Sequence, residues 1–264
     1  MKFLIALSFI CFSLFAEARS QIATNAVFIH NSPKWLTRNR AEKVIDRIQS
    51  ELEWTIRRVN VYFYDTEEAF KSAQSLGAIP RAVSVKSKKE QVVHLSPRVN
   101  DKNFNQVFAH ELVHIVFFQK YKGAIPQWLE EGFANHLGRA HPVNYQWLKS
   151  QPLPGDVTQL THPFKQSQVS IKYHYMASQA LVEMLEKKCD MENLLRLSVG
   201  RKMSTYIDTY CGIKDINSAF KNWIEENVTS SKSDSTAKKP ISSSPEKKEN
   251  WWNSYMEKYK KKSE

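Results

Sequence analysis

Two histidines four residues apart, His110 and His114, enclose Glu111 in the run His110-Glu111-Leu112-Val113-His114. On a helix, positions i and i+4 share one face, so both imidazoles can reach a single Zn²⁺. With one carboxylate added, such a site has three protein ligands and a fourth position left for water. The metal acidifies that water, and Glu111 can take its proton as it attacks a carbonyl. The structural alternative is a partly buried helix that happens to carry two histidines and an acid. The neighbours weigh against it: Val107, Phe108, Leu112, Val113, Ile115, Val116, Phe117 and Phe118 make this a core helix. Imidazoles and carboxylates are rarely buried there unless paired or bound to metal.

The third ligand must come from elsewhere. Metzincins place a third His six residues after the second, with Gly halfway; here those positions are Lys120 and Phe117, which excludes that class. Glu131 stands 17 residues after His114 and follows Pro126, a helix-start signal. Asn135, one turn after Glu131, can hydrogen-bond a ligand imidazole and fix its tautomer. Glu130 is the competing ligand and ranks below Glu131. His136 and His141 are further alternatives, read as surface residues.

The segment Pro126-x-Trp128-Leu129-x-Glu131-Gly132-x-Ala134, downstream of H-E-x-x-H, resembles the small gluzincins, the minimal thermolysin-like zinc peptidases of the peptidase MA-like group. The resemblance extends in outline over residues 27–227, with the sharp motifs confined to 110–135. It implies that Glu131 is the third zinc ligand and Glu111 the general base and later proton donor. Thermolysin relatives usually carry Asp one turn after the ligand Glu, where this chain has Asn135. Similar proteins open a later helix with Tyr-x-x-Ser, which maps onto Tyr175 and Ser178. Tyr175 is the first candidate for an oxyanion donor, with His174 and Tyr173 behind it; aromatic packing is the alternative for each. The fold expected is α+β and zincin-like: an N-terminal mixed sheet with the active-site helix, then a helical C-terminal part.

The elements that must position these residues follow from periodicity and turn signals. Residues 1–18 combine Lys2, an uncharged apolar run and Ala16-Glu17-Ala18, the pattern of a cleaved signal peptide. A membrane anchor is the alternative, but the run is short for a bilayer. The mature chain then begins near Arg19, exported to a periplasmic or extracellular space. Strands are expected at 26–30, 59–64, 82–85 and 91–95. Helices are expected over 34–57, with Ala41, Val44, Ile45, Ile48 and Leu52 on one face, and over 67–76, ending at Gly77. The resemblance implies that the last strand before the metal helix, residues 92–95, is an exposed edge that holds an extended substrate. An edge strand with no ligand is the alternative, and His94 reads as a strand-surface residue. A helix over 127–137 carries Glu131 and is capped by Gly138.

The peptidase domain spans 19–228, long enough for one sizeable core. Its two cysteines after the targeting segment, Cys189 and Cys211, can form a disulfide in an oxidising compartment. Residues 229–248, rich in Ser and Lys, read as a disordered linker. Residues 249–264 form a basic aromatic tail with Trp252, Tyr255, Met256 and Tyr259 on one helical face. Such a tail suits a membrane surface or a groove on an envelope partner. The net charge of +11 also suits anionic surfaces; no nucleic-acid motif is present.

The function expected is peptide-bond hydrolysis by metal-activated water on a peptide or protein substrate. The alternative is a non-catalytic scaffold or binding protein of the cell envelope that keeps the gluzincin shell. Hydrolysis of a non-peptide amide would use the same site.

Overall fold

The computed structural model describes residues 20–74, 80–87, 90–160, 170–199 and 203–235. The expected targeting segment, Leu76 and Gly77 at the expected end of the second helix, and the chain beyond Ser235 lie outside these residues. The chain divides into two units, Met1–Asn227 and Val228–Glu264. No helix among the described residues is long and apolar enough to cross a membrane.

The first unit is mixed α+β, built on a five-stranded mixed sheet. Its strands are β1 (Ser20–Ala23), β2 (Val27–Ser32), β3 (Val59–Phe63), β4 (Ala82–Lys86) and β5 (Gln91–Leu95), in the spatial order β1-β2-β3-β5-β4. The two outer pairs are antiparallel, and β2-β3 and β3-β5 are parallel. β1 was not expected; only Ile22 of its four residues is buried. The order corrects the expectation that residues 92–95 form an edge. β5 sits between β3 and β4, and the edge nearest the metal helix is β4. The chain first lays down β4 on the outside, and the hairpin then returns it inward, so the later strand, β5, ends up beside β3.

Register shows how the edge meets the site. Ile29, Val61, Val93 and Ser84 align across four strands. The first three are fully buried aliphatics, and the row ends in a serine at the edge. On the opposite face His30, Tyr62, His94 and Val83 align, with His30 stacked on Tyr62 at 4.2 Å.

α1 (Arg38–Glu51) is shorter than the 34–57 expected. The Thr37 side chain accepts from the Arg40 amide and starts the helix, while Glu53, at φ 46°, turns the chain out of it. The expected face is buried on Ala41, Val44, Ile45 and Ile48. α2 (Glu67–Gln74) follows β3. α3 (Phe104–Tyr121) is the expected core helix and packs against α1, β4 and α4 (Gln127–Leu137).

α4 has the bounds expected from Pro126 and Gly138. Gly138 is present for space, not for a left-handed turn. It has φ −64°, and a Cβ there would stand 3.4 Å from the His110 Cβ and 2.5 Å from the Ala134 carbonyl oxygen. The left-handed residue is its neighbour Arg139, at φ 56°.

After α5 (Tyr145–Lys149) and a 3-10 turn at Val157–Gln159, α6 (Ile171–Lys188) begins at Ser170, whose side chain accepts from the Tyr173 amide. α7 (Met191–Ser198), α8 (Met203–Cys211) and α9 (Ile216–Ser235) complete the helical part. Cys189 and Cys211 are bridged, joining the end of α6 to the end of α8. α9 continues through the first residues of the expected linker. An established helix gains a hydrogen bond for each residue added, and neither Gly nor Pro occurs between Ile216 and Pro240.

Candidate metal centre

α3 carries His110 and His114 one turn apart, and their Nε2 atoms lie 3.2 Å from each other. α4 brings Glu131 to the same point: its Oε2 is 3.5 Å from His110 Nε2 and 3.6 Å from His114 Nε2. Among the described residues this is the one cluster of three such groups whose ligand atoms converge. A point equidistant from the corners of that triangle lies about 2.0 Å from each, which matches the roughly 2.0–2.2 Å that zinc takes to imidazole and carboxylate. The residues therefore fit a divalent metal in size and donor chemistry.

Charge points the same way. Glu131, His114 and Glu111 are all buried. Burial opposes ionisation of Glu131, but His114 and His110 outweigh it and hold the carboxyl well below the usual carboxylate range. Burial likewise disfavours an imidazolium at His114. The carboxylate of Glu131 and the hydrogen bond to Glu130 overcome both that and the Lys86 charge, and push His114 up to about 10. With no metal bound, a proton fills the cluster's demand for a cation.

Glu130 takes a different place from the competing-ligand position expected of it. Its Oε1 accepts from His114 Nδ1 at 2.7 Å, on the side of the ring away from the cluster, and also accepts from the Lys86 ammonium. Burial raises the Glu130 carboxyl, yet the bonds and charges of His114 and Lys86 bring it below its ordinary value. A carboxylate here can only accept, so Nδ1 carries a proton in either charge state, and once a metal displaces the second proton the lone pair of Nε2 faces it.

This is the role expected of Asn135, which instead donates through Nδ2 to the Tyr175 carbonyl at 3.3 Å. Five residues separate the two, about 140° round the helix, so Glu130 faces α3 and Asn135 faces α6.

Glu111 is tied to the sheet edge. Ser84 of β4 donates to its Oε2 and sits 3.2 Å from its backbone carbonyl. Ser84 and Lys86 are two residues apart, so both point inward from β4, one to each acid. Neither stood out in the sequence. The alternation of β4 gave no signal, because its valines, Val83 and Val85, lie on the other face and the face toward α3 reads Ala82, Ser84, Lys86.

Tyr175 lies beside the histidine pair, its ring centroid 6.4 Å from that of His110, and is half-buried. Tyr173 and His174 are buried within the fold. Gly132 allows this placement: a Cβ on it would stand 2.3 Å from the Ser178 carbonyl oxygen, so only glycine lets α4 and α6 approach so closely.

His94 is buried, not on the surface as expected. It shares a 2.7 Å hydrogen bond with the Tyr64 hydroxyl, and burial pulls its pKa below the usual value against the opposing charges of Glu90 and Glu111. His136 pairs with Glu186 at 3.4 Å and His141 is exposed; neither joins the cluster.

No family model matches the chain, and neither curated proteins nor solved structures give a match.

Proposed function

We propose that this protein is an exported zinc metallopeptidase of the small gluzincin type, in which His110, His114 and Glu131 hold the metal. One observation carries it: two imidazole nitrogens and one carboxylate oxygen, 3.2, 3.5 and 3.6 Å apart, converge at one largely buried point between an H-E-x-x-H helix and the helix packed on it. A sheet whose edge strand lies against that helix, followed by a helical part, supports a zincin-like fold.

Bound zinc supplies a Lewis acid that polarises a carbonyl and acidifies water. Glu111 takes the proton of the attacking water and delivers it to the leaving amine. Ser84 holds that carboxylate against α3. Tyr175, beside His110, donates to the oxyanion as it develops. β4, an outer strand of the sheet among the described residues, is the docking strand for an extended peptide, which adds to the sheet by backbone hydrogen bonds. The Cys189–Cys211 bridge supports export, since disulfides persist in oxidising compartments.

The test is metal content together with cleavage of an unbiased peptide library. One zinc per chain, and cleavage that chelation removes and zinc restores, is the expected result. Zinc without cleavage of any peptide supports the scaffold alternative instead. A chain that binds no zinc overturns the metal site itself.

A further inference from the structure

We infer that Lys86 is a positioning residue for the metal site: through Glu130 it fixes the His114 ring so that Nε2 faces the bound cation. This deepens the metal-site reading and depends on it, but it does not depend on the peptidase assignment.

One oxygen of Glu130, Oε1, accepts from two partners, the His114 imidazole and the Lys86 ammonium. His114 presents its other nitrogen to His110 and Glu131. The order along the chain of contacts is therefore β4 ammonium, α4 carboxylate, α3 imidazole, metal. Lys86 stands 44 residues before Glu130 in sequence, so the sheet edge, not the metal helices, supplies the last member.

Burial makes the lysine necessary. The side chains of Lys86 and Glu130 are only 25% and 13% exposed. A carboxylate that far from water is costly without a cationic partner, and removing one member of a buried pair leaves the other uncompensated. Without Lys86, Glu130 loses the partner that fixes the position of its Oε1 and can swing toward solvent. That movement weakens the bond that holds Nδ1, and the ring is then free to turn its Nε2 away.

The crowding of acids sharpens the point. Glu130 and Glu131 reach from α4 to the histidines of α3, and Glu111 reaches from α3 to β4. Ser84 occupies Glu111 and Lys86 occupies Glu130, which leaves the third carboxylate, Glu131, to meet the cation. β4 thus sorts the three acids into separate roles through two side chains on one strand face.

The experiment measures zinc affinity of the full chain by competition with a chromophoric chelator. Lys86→Met keeps the aliphatic stem and removes the charge. It should bind zinc about tenfold or more weakly, in the range of roughly 10–100-fold that outer partners of a metal ligand contribute. Lys86→Arg should restore most of the loss. In a Glu130→Ala background, Lys86→Met should have no further effect, because the path to His114 is already cut. Cobalt-loaded Lys86→Met should also show visible absorption bands shifted from those of wild type, since the geometry at His114 has changed.

Unchanged or tighter zinc binding by Lys86→Met overturns the proposal, because the lysine is then a mere repelling charge or a surface pair. A Lys86→Met effect that persists undiminished in Glu130→Ala overturns it equally. A wild-type chain that binds zinc and cleaves nothing removes the peptidase reading and leaves this one intact. A wild-type chain that binds no zinc removes both.

Discussion

Glu130 and Glu131 are adjacent in sequence, yet they address opposite nitrogens of the same imidazole. Oε1 of Glu130 is 2.7 Å from His114 Nδ1, and Oε2 of Glu131 is 3.6 Å from His114 Nε2. One carboxylate orients the ring and the other shares the cation with it. The two should therefore respond differently to the same substitution. Glu130→Gln keeps an oxygen that accepts from Nδ1, so most zinc affinity should remain. Glu131→Gln removes a charged ligand and should cost more than the roughly 10–100-fold typical of an orienting partner. Chelator competition on both variants gives the comparison; equal losses would contradict the division of roles.

The metal-free protein should lose stability as pH rises from 7 to 9. His114 in the fold keeps its proton up to about 10, because the neighbouring carboxylates outweigh burial and the opposing Lys86 charge. In the unfolded chain an imidazole releases it near roughly 6.5. Between those values the folded state binds more protons than the unfolded one. The contribution is complete below the lower value and is lost as pH climbs through the upper. Tyr64, Tyr121, Tyr145 and Tyr173 are also raised by burial, but their unfolded reference lies near about 10, so they act above the window. Urea denaturation of chelated protein should show a falling midpoint over this range. Zinc-saturated protein should stay level, because the metal replaces the proton. A level profile for the chelated form would refute the charge balance assigned to the cluster.

Gly132→Ala tests the contact that sets Tyr175 over the histidines. The new methyl would stand 2.3 Å from the Ser178 carbonyl oxygen and 2.6 Å from Val182 Cγ2, so backbone must move. The expected cost is about 1–3 kcal/mol, the usual price of overpacking. Turnover should fall with it, because Tyr175 lies one turn before Ser178 on α6. Denaturant melts and peptide cleavage report the two effects; a variant as stable and active as wild type would contradict the packing argument.

Breaking the Cys189–Cys211 bridge should destabilise the fold without touching the metal. A crosslink of this span stabilises by about 3 kcal/mol. Its ends lie on α6 and α8, whereas the ligands lie on α3 and α4. Cys189→Ser/Cys211→Ser should therefore unfold at lower denaturant with zinc affinity preserved. A parallel loss of zinc affinity would show that the bridge supports the site directly.

The helices that carry the site were legible because their signals are local. Pro126 and Gly138 bound α4, and the apolar residues around His110 mark α3 as a core helix. The sheet order was not legible, since pairing β5 with β3 and leaving β4 outside depends on contacts far apart in sequence. That one misplacement hid Ser84 and Lys86, whose importance exists only once β4 lies along α3. The orienting contact expected of Asn135 falls to Glu130 for a related reason. Helical spacing says which residues share a face, but the partner helix decides what each face meets. β1 escaped notice because a four-residue edge strand with one buried side chain has almost no hydrophobic pattern.

The most direct measurement compares wild type with Glu111→Gln, scoring zinc per chain and hydrolysis of an unfolded protein substrate in the same preparations. The account predicts equal zinc content and a loss of hydrolysis to background, since Glu111 moves the proton and does not hold the metal. Hydrolysis retained by Glu111→Gln at wild-type zinc content would contradict it.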